Sequence, residues 1–294
     1  MRGIVMEHVD KVVWGHSRSD RANKVQMGFP MGQISKSILA KGMADFSVGY
    51  SDPSGQTLSP DELVSLYCYS NMKGHFFTCS ATFQEHLGAI EDLFRPNGRA
   101  LVIDFGCGPA TACLALADLL PNRLIDYVGI DTAPAMRMRA QKLWDAVKDG
   151  AGLIRAVSGA AFKPSWTDVP VERIPPCSSV MLVFSYFFAS KSLKTQDLNG
   201  IAAWIANLAN TRTGRPSLLF YMNSTDARAN EKYDQLKGCL GLGGVQQPLQ
   251  TKQIEFQTLK GGEHTSKCEF VSELLTLPVG LTAGTVPEEN LVPF

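Results

Sequence analysis

The sequence predicts an α/β protein: a mostly parallel sheet with a helical region before it and an antiparallel hairpin at its end. From about residue 100 to 275, apolar strand-like runs alternate with helical patterns, as is typical of parallel sheets. Residues 1–97 lack this alternation and have a mainly helical pattern. A Gly261–Gly262 turn between two strand-like runs indicates the hairpin. We therefore expect an N-terminal helical extension over residues 1–97 and an α/β domain over residues 98–294.

The first strand and the helix after it have the clearest pattern of the α/β domain. Arg99–Phe105 is a near-continuous apolar run, as expected for a strand buried on both faces. A helix is predicted at Pro109–Leu120, with a proline at its start and Pro121 ending it. Further strands are predicted at Asp126–Ile130, Gly152–Val157, Val180–Phe184, Ser217–Met222, Gln253–Thr258 and Cys268–Leu274, and further helices at Ala135–Val147, Asp197–Ala209 and Ala227–Leu236.

The N-terminal region contains one distinct helix start and an uneven charge distribution. Ser59 is a good N-cap, Pro60 suits the first turn, and Glu62 occupies the capping-box position. Residues 1–44 carry seven Lys or Arg and three Asp or Glu, whereas residues 45–98 carry two and seven. Residues 1–44 therefore have a net charge of +4 and residues 45–98 a net charge of −5.

Composition and charge exclude several classes of protein. Apolar residues make up 45% and charged residues 19% of the 294 residues, an ordinary globular composition. The 28 basic and 28 acidic residues balance, which argues against electrostatic coating of nucleic acid or membrane. The seven cysteines are scattered without a C-x-x-C pair, and no spacing indicates a metal site. With neither a signal-peptide core nor a membrane-length apolar run, we expect a cytoplasmic protein without membrane association.

The turn after the first strand carries the most functional information. It reads Val102-Ile103-Asp104-Phe105-Gly106-Cys107-Gly108-Pro109-Ala110-Thr111. Glycines let the backbone approach a ligand, and a helix N-terminus offers free N–H groups. A second acid, Asp131, follows the next strand, where a carboxylate can bind ribose hydroxyls. A nicotinamide site would read G-x-G-x-x-G, but Thr111 stands at the last position and Asp104 would repel a pyrophosphate.

These residues resemble motif I of class I S-adenosylmethionine-dependent methyltransferases, and Asp131 resembles the acid that follows the second strand in that family. The resemblance covers roughly residues 99–275 and implies a Rossmann-like sheet with S-adenosyl-L-methionine as cofactor. The usual acid after the third strand is absent, so Ser158 would bond to the adenine and Phe162 would pack on it. The implied cofactor-binding residues are Asp104, Phe105, Gly106, Cys107, Gly108, Asp131, Thr132, Ser158, Phe162 and Phe184.

The acceptor side is expected after the fourth strand and in the N-terminal helices. Open α/β sheets bind ligands at the carboxyl ends of their strands, where this chain has the aromatic run Phe184–Ser190. The run is not the Asn/Asp-Pro-Pro-Tyr tetrad of the amino-methylating nucleic-acid enzymes in the family. Tyr67–Phe77 is dense in polar aromatic residues and can form a lid that carries a base. We therefore predict Tyr186 and His75 as catalytic residues.

Together these observations predict a methyltransferase acting on a heteroatom of a small-molecule acceptor. The reaction would be an in-line attack on the methyl group of a sulfonium, in which alignment supplies much of the catalysis and a general base is optional. Neutral charge and the aromatic run favour a small molecule. Three alternatives stay open: a nicotinamide-dependent oxidoreductase, a non-catalytic cofactor-binding module, and an RNA methyltransferase that uses the basic residues Arg2, Lys11, Arg18, Arg21 and Lys24. The sequence leaves the acceptor, the methylated atom and the oligomeric state open.

Overall fold

The structure is a computed structural model that describes residues 38–39, 44–51, 57–96, 98–149, 157–174, 179–190, 193–211, 217–242, 249–258 and 264–285. Most of the predicted basic segment, residues 152–156 of the predicted third strand, and the Gly261–Gly262 turn lie outside these residues. In the described parts of the chain, no helix combines the length and the apolar character needed to cross a membrane.

Seven strands form one sheet, and a short two-stranded ribbon precedes them. The strands are β1 (Tyr50–Ser51), β2 (Thr57–Leu58), β3 (Arg99–Phe105), β4 (Leu124–Ile130), β5 (Val157–Lys163), β6 (Ser179–Ser185), β7 (Ser217–Asn223), β8 (Thr251–Thr258) and β9 (His264–Thr276). The order in the large sheet is β5-β4-β3-β6-β7-β9-β8. Strands β3 to β7 pair in parallel, and β9 is antiparallel to both β7 and β8. The predicted α/β, Rossmann-like fold with a closing antiparallel hairpin is therefore confirmed.

Helices cover both faces of this sheet, and each face has its own apolar core. The helices are α1 (Pro60–Tyr67), α2 (Lys73–Glu85), α3 (Leu87–Asp92), α4 (Thr111–Leu119), α5 (Pro134–Asp149), α6 (Thr195–Asn210) and α7 (Ala227–Cys239). Alternate side chains of β3 enter opposite cores, as the two-residue period of a strand requires. Ala100 and Val102 belong to the core that α2, α4 and α5 cover, whereas Ile103 and Phe105 belong to the core under α6 and α7.

The helices before the sheet pack directly on it. Ser59 and Glu62 form the predicted capping box: the Ser59 hydroxyl accepts from the Glu62 main-chain N–H, and the Glu62 carboxylate accepts from the Ser59 main-chain N–H. Helix α1 contacts α5, and α2 contacts α4. A π-helical turn at Cys68–Met72 joins α1 to α2, and such wide turns are frequent at functional sites.

Two predicted boundaries are wrong, and the remaining predicted strands and helices lie within observed ones. Helix α4 begins at Thr111 rather than Pro109, because Ala110 adopts a left-handed backbone with φ of +61°. Strand β5 (Val157–Lys163) continues beyond Val157, where the predicted third strand ends, so Phe162 lies within a strand instead of after it. The reason is tertiary: Phe162 pairs with Gly129 of β4, where any side chain would come within 2.9 Å of the Phe162 ring.

Candidate active site

The turn after β3 has two glycines whose surroundings differ. Gly106 and Gly108 both have positive φ, +66° and +51°. A Cβ atom on Gly106 would lie 2.7 Å from the ring of Phe187, so this glycine makes room for the protein itself. A Cβ atom on Gly108 would have the Met136 sulfur, 3.9 Å away, as its nearest described neighbour. The space beside Gly108 is therefore open to a ligand that approaches the backbone.

Asp104, at the end of β3, has a buried carboxylate with one unsatisfied oxygen. The residue is 1% exposed, and its Oδ2 accepts a 2.8 Å hydrogen bond from the Tyr127 hydroxyl. Its Oδ1 has no hydrogen-bond partner among the described residues. Burial raises the pKa of Asp104 to about 7, although the bond from Tyr127 acts in the opposite direction. An unpaired buried oxygen is costly, and a cationic ligand group would satisfy it.

Thr111, the first residue of α4, carries a second unsatisfied atom next to the same turn. Its hydroxyl oxygen is buried and has no hydrogen-bond partner in the described part of the chain. The first turn of a helix also has main-chain N–H groups that lack partners within the helix. The sequence identifies Thr111 only as a departure from the nicotinamide pattern, and its unsatisfied hydroxyl becomes apparent in the structure. Together, Asp104 and Thr111 leave an acceptor oxygen and a hydroxyl available beside the turn.

Asp131 links the ends of β3 and β4. One carboxylate oxygen accepts from the Gly108 main-chain N–H at 3.0 Å, and the other accepts from the Ala133 main-chain N–H at 2.9 Å. Burial raises the pKa of Asp131, and these two backbone bonds oppose that rise. Each carboxylate oxygen has a further lone pair, so Asp131 can still accept hydroxyl donors. The neighbouring Thr132 is exposed beside it.

The predicted catalytic residues His75 and Tyr186 lie against each other. Their rings stack with centroids 3.7 Å apart and planes 13° apart, although one belongs to α2 and the other follows β6. Tyr186 has a left-handed backbone with φ of +58°, which is rare for a bulky residue, and such strain clusters at functional sites. The Tyr67 hydroxyl lies 2.8 Å from Nδ1 of His75. The structure therefore brings together Tyr67 of α1, His75 of α2 and Tyr186 after β6. We call these three residues the aromatic array.

The hydroxyl of Tyr186 is engaged by other side chains. Of the side chains near it, Thr78 lowers the pKa of Tyr186 and Cys268 raises it. The Thr78 hydroxyl in turn donates to the His75 main-chain oxygen at 2.9 Å. Burial raises the pKa of Tyr186 well above its usual value, so the phenol stays protonated. Thr78 and Cys268 were missed from the sequence; Thr78, three residues after His75, could have been found from the helical period, whereas nothing local indicates Cys268.

The ionisable groups around this aromatic array are electrically neutral near pH 7. Burial lowers the pKa of His75 to about 3, which keeps the imidazole uncharged. Burial raises the pKa of the Tyr67 phenol, and the Cys68 and Cys79 thiols reinforce that rise. Burial also raises the pKa of Cys79, beside the array, to about 12. This part of the site is therefore suited to an uncharged group.

Comparisons with known proteins give structural likeness alone. No protein-family model and no curated protein matches the chain. A putative class I S-adenosylmethionine-dependent methyltransferase from Listeria monocytogenes is 10% identical, with a TM-score of 0.39, and the match covers 95% of this chain and 90% of that one. A putative O-methyltransferase from Klebsiella pneumoniae is 11% identical, with a TM-score of 0.37 and coverage of 88% and 96%. The O-methyltransferase TomG from Streptomyces achromogenes, of tomaymycin synthesis, is 14% identical, with a TM-score of 0.33 and coverage of 70% and 90%.

The strand order and the closing hairpin of this chain decide the fold. Five parallel strands in the order β5-β4-β3-β6-β7 are extended by an antiparallel pair, and a glycine turn follows the central strand β3. The chain has a Rossmann-like α/β fold with a closing antiparallel hairpin. In this fold, the unsatisfied Asp104 oxygen and the open side of Gly108 lie at the carboxyl end of the central strand.

The remaining residues that the sequence predicts to bind a cofactor lie in differing surroundings. Phe162 is half-buried and packs edge-on against Tyr127, with ring centroids 5.9 Å apart. Ser158 lies within β5, and its side chain is outside the described part of the chain. Phe105 and Phe184 stack at 4.6 Å in the core under α6, on the opposite face of the sheet from Asp104. Their side chains are therefore part of the core, and only their backbones border the turn.

The described residues favour neither a nucleophilic cysteine nor a metal site. The Cys107 thiol is buried, within 2.8 Å of where a Cβ atom on Gly129 would lie, and burial raises its pKa well above the usual value. A thiol of this kind is a weak nucleophile, because the thiolate is the reactive form. Among the described residues, no group of three or more His, Cys, Asp or Glu side chains could hold a metal ion.

Proposed function

We propose that this chain is an S-adenosylmethionine-dependent methyltransferase that acts on a heteroatom of an uncharged small molecule. The observation that carries the proposal is the pairing of an unsatisfied, buried Asp104 oxygen with the open, left-handed Gly108 at the end of β3. An unsatisfied carboxylate oxygen favours a cationic group, and a backbone without a side chain lets a ligand lie close to it. A sulfonium nucleoside has a cationic amino group at its amino-acid end, and that end can lie close to the backbone.

The residues present fit this cofactor without rearrangement of the fold. Asp104 would accept from its amino group, and the Thr111 hydroxyl with the main-chain N–H groups of the first turn of α4 would donate to its carboxylate. Asp131, already oriented by two backbone N–H groups, would accept from the ribose hydroxyls. Thr132, Ser158 and Phe162 would border the adenine. When bound, S-adenosylmethionine supplies an activated methyl group, so the protein has to align the acceptor and exclude water.

The aromatic array would orient the acceptor. With a pKa of about 3, His75 is a poor proton store but a competent neutral hydrogen-bonding group. Tyr67 would orient the imidazole through Nδ1, and Tyr186 would support its face. Because an anionic acceptor would lose its hydration here without gaining a counter-charge, and Asp104 and Asp131 act on Tyr67 of the array with the same sign of charge, the array favours an acceptor without a carboxylate. In this proposal residues 1–97 act as the lid and acceptor-binding region, to which α1 and α2 contribute Tyr67 and His75.

Calorimetry on a matched pair of glycine variants tests the proposal. Gly98 and Gly108 lie at opposite ends of β3, have φ of +70° and +51°, and face open space. Alanine at either position has a similar backbone cost of about 1 kcal/mol. We expect S-adenosylmethionine and S-adenosylhomocysteine to bind the parent and Gly98→Ala equally, and to bind Gly108→Ala at least tenfold more weakly, on the order of 1.4 kcal/mol.

Two results would contradict the proposal in different ways. Absence of binding heat with the parent protein would remove the cofactor assignment. Equal affinity of Gly98→Ala and Gly108→Ala would place the ligand away from this turn. For the acceptor, paired phenols with and without a carboxyl substituent should be compared by the release of S-adenosylhomocysteine. A preference for the carboxylated member of each pair would contradict the uncharged acceptor.

A further inference from the structure

The segment that follows β6 connects both halves of the proposed site. We call Tyr186–Ser190 together with Leu193 the post-β6 segment. Its first residue stacks on His75, and its second, Phe187, lies over Gly106. Displacement of this segment would therefore disturb the acceptor side and the cofactor side together.

The start and the middle of the post-β6 segment are held by the sheet and by the core under α7. The Tyr186 main-chain N–H donates to the Met222 main-chain oxygen of β7 at 2.8 Å. Phe188 is buried, with its ring 5.8 Å from that of Tyr221 and 5.7 Å from that of Tyr233. These contacts fix the start of the segment and its central ring. Ser190 and Leu193, at the end of the segment, are held by a separate contact.

Lys232 of α7 supplies that anchor. Its side-chain ammonium donates to the main-chain oxygen of Ser190 at 2.7 Å and to that of Leu193 at 3.0 Å. Lys232 is 8% exposed, and burial lowers its pKa, an effect that the nearby Asp197 opposes. A buried ammonium is costly to desolvate. We attribute the presence of a buried ammonium at this place to the position of the segment whose two carbonyls it binds.

We propose that Lys232 is a positioning residue for the active site: by holding the end of the post-β6 segment, it keeps Tyr186 against His75 and Phe187 over the glycine turn. The positioning of the two rings is independent of any ligand, whereas its consequence for cofactor binding rests on the proposed function. In this proposal Lys232 acts through the segment that it binds.

Lys237 offers a matched control on the same helix. It is also buried, and its ammonium lies 3.3 Å from both the Asp234 and the Glu273 carboxylates and 4.6 Å from the centre of the Tyr233 ring. Replacement of Lys237 by methionine therefore removes a buried lysine from α7 while leaving both carbonyl contacts of the post-β6 segment intact. Lys237→Met leaves Glu273 without its cation, so we expect this control to lower the overall stability more than Lys232→Met does.

The experiment uses two readouts on the parent, Lys232→Met and Lys237→Met. The first is the proton NMR signal of the His75 imidazole at pH 7, assigned by its loss in His75→Gln, because stacking on Tyr186 shifts it by the ring current. The second is the affinity for S-adenosylmethionine. In Lys232→Met we expect the His75 signal to move towards that of a free imidazole and the affinity to fall about tenfold, as for lost hydrogen bonds to a charged group. In Lys237→Met we expect the parent signal and affinity within twofold.

The other outcomes distinguish the positioning role of Lys232 from the proposed binding of S-adenosylmethionine. An unmoved His75 signal in both Lys232→Met and Lys232→Gln, with unchanged affinity, overturns the positioning role and leaves the cofactor assignment intact. A displaced signal in a protein that never binds S-adenosylmethionine supports the positioning role and overturns the proposed function. Unfolding of both Lys232 variants by circular dichroism, with Lys237→Met folded, overturns the proposal because Lys232 would then stabilise the whole domain. Lys232→Arg, which keeps a cationic donor, should restore both readouts in part.

Discussion

Asp104 and His75 are both ionisable groups at the carboxyl edge of the sheet, and burial disfavours the charged form of each by moving their pKa values in opposite directions. The pKa of Asp104 rises to about 7 and that of His75 falls to about 3. The two differ in their partners: His75 has Tyr67 on Nδ1, whereas Asp104 has an unsatisfied Oδ1 in the described structure. The proposed cofactor side thus has a carboxylate that would ionise fully on gaining a cation, and the proposed acceptor side is neutral.

This difference follows from how each side is built. The cofactor side comes from one strand, its turn, and the end of the neighbouring strand, so its geometry is local. The acceptor side combines α1, α2, the segment after β6, and Cys268 of β9. A local arrangement can expose a charge to a ligand at a defined backbone position. An array built from distant elements is stable when its members satisfy one another, as Tyr67, His75, Thr78 and Tyr186 do.

The largest expected effect is on the pH dependence of stability through Asp104. Its folded-state pKa of about 7 lies above the usual 3.8, so the folded state holds the proton more tightly and stability falls as pH rises from about 4 to 7. That difference corresponds to about 4 kcal/mol above pH 7. In the absence of ligand we expect Asp104→Asn to raise the free energy of unfolding at pH 8 by up to about 4 kcal/mol and to change it little at pH 4, measured by urea denaturation.

An acid on the neighbouring strand provides the control for Asp104→Asn. Asp126 on β4 is partly exposed and pairs with Arg99. Asp126→Asn should lower stability at pH 8 by less than about 1 kcal/mol, as for an exposed ion pair. If Asp104→Asn were also destabilising at pH 8, the carboxylate would have a partner in solution, and the contrast with His75 would disappear.

Replacement of Gly106 tests whether the two sides share the post-β6 segment. The new methyl group of Gly106→Ala would lie 2.7 Å from the Phe187 ring on a backbone with φ of +66°. We expect a loss of about 3 kcal/mol, from about 1 kcal/mol of backbone strain and about 2 kcal/mol of overpacking. Gly98→Ala, which has comparable strain and no such contact, should lose about 1 kcal/mol. Equal losses in thermal denaturation would mean that Phe187 moves freely away from the turn.

Asp131→Ala should weaken binding of S-adenosylmethionine by about 2 kcal/mol, the cost of losing hydrogen bonds to a charged group. Because the carboxylate also accepts from Gly108 and Ala133, we expect a smaller loss in Asp131→Asn, which keeps one acceptor oxygen. Calorimetry on both variants measures the difference. A change of a few tenths of a kcal/mol in Asp131→Ala would contradict the ribose role.

The smallest expected effect is at Tyr67. Tyr67→Phe removes the hydroxyl that lies 2.8 Å from Nδ1 of His75, and we expect a loss of about 1 kcal/mol in unfolding free energy. Turnover should fall more than cofactor affinity, because the array serves the acceptor. Tyr50→Phe, on the ribbon strand β1, is the matched removal of a hydroxyl elsewhere. Equal effects of the two variants on turnover would contradict the orienting role of Tyr67.

The cofactor side was largely predictable, and the acceptor side was predictable in outline. Asp104, Gly106, Gly108 and Asp131 occupy the ends of β3 and β4 because strand, turn and helix patterns are local. Phe162 was misplaced because Ser158–Phe162 lacks a clear strand period, and its pairing with Gly129 of β4 decided the strand. His75 and Tyr186 were predicted separately, but their stacking depends on packing between α2 and the segment after β6.

By itself, the sequence determined the parallel sheet, the glycine turn and the two acids beside it, since apolar period and backbone freedom act over a few residues. Tertiary structure decided the left-handed Tyr186, the array with Tyr67 and Thr78, and the anchoring of Ser190 by Lys232. These contacts join elements far apart in the chain, where burial and hydrogen bonding are set by the assembled core rather than by neighbouring residues.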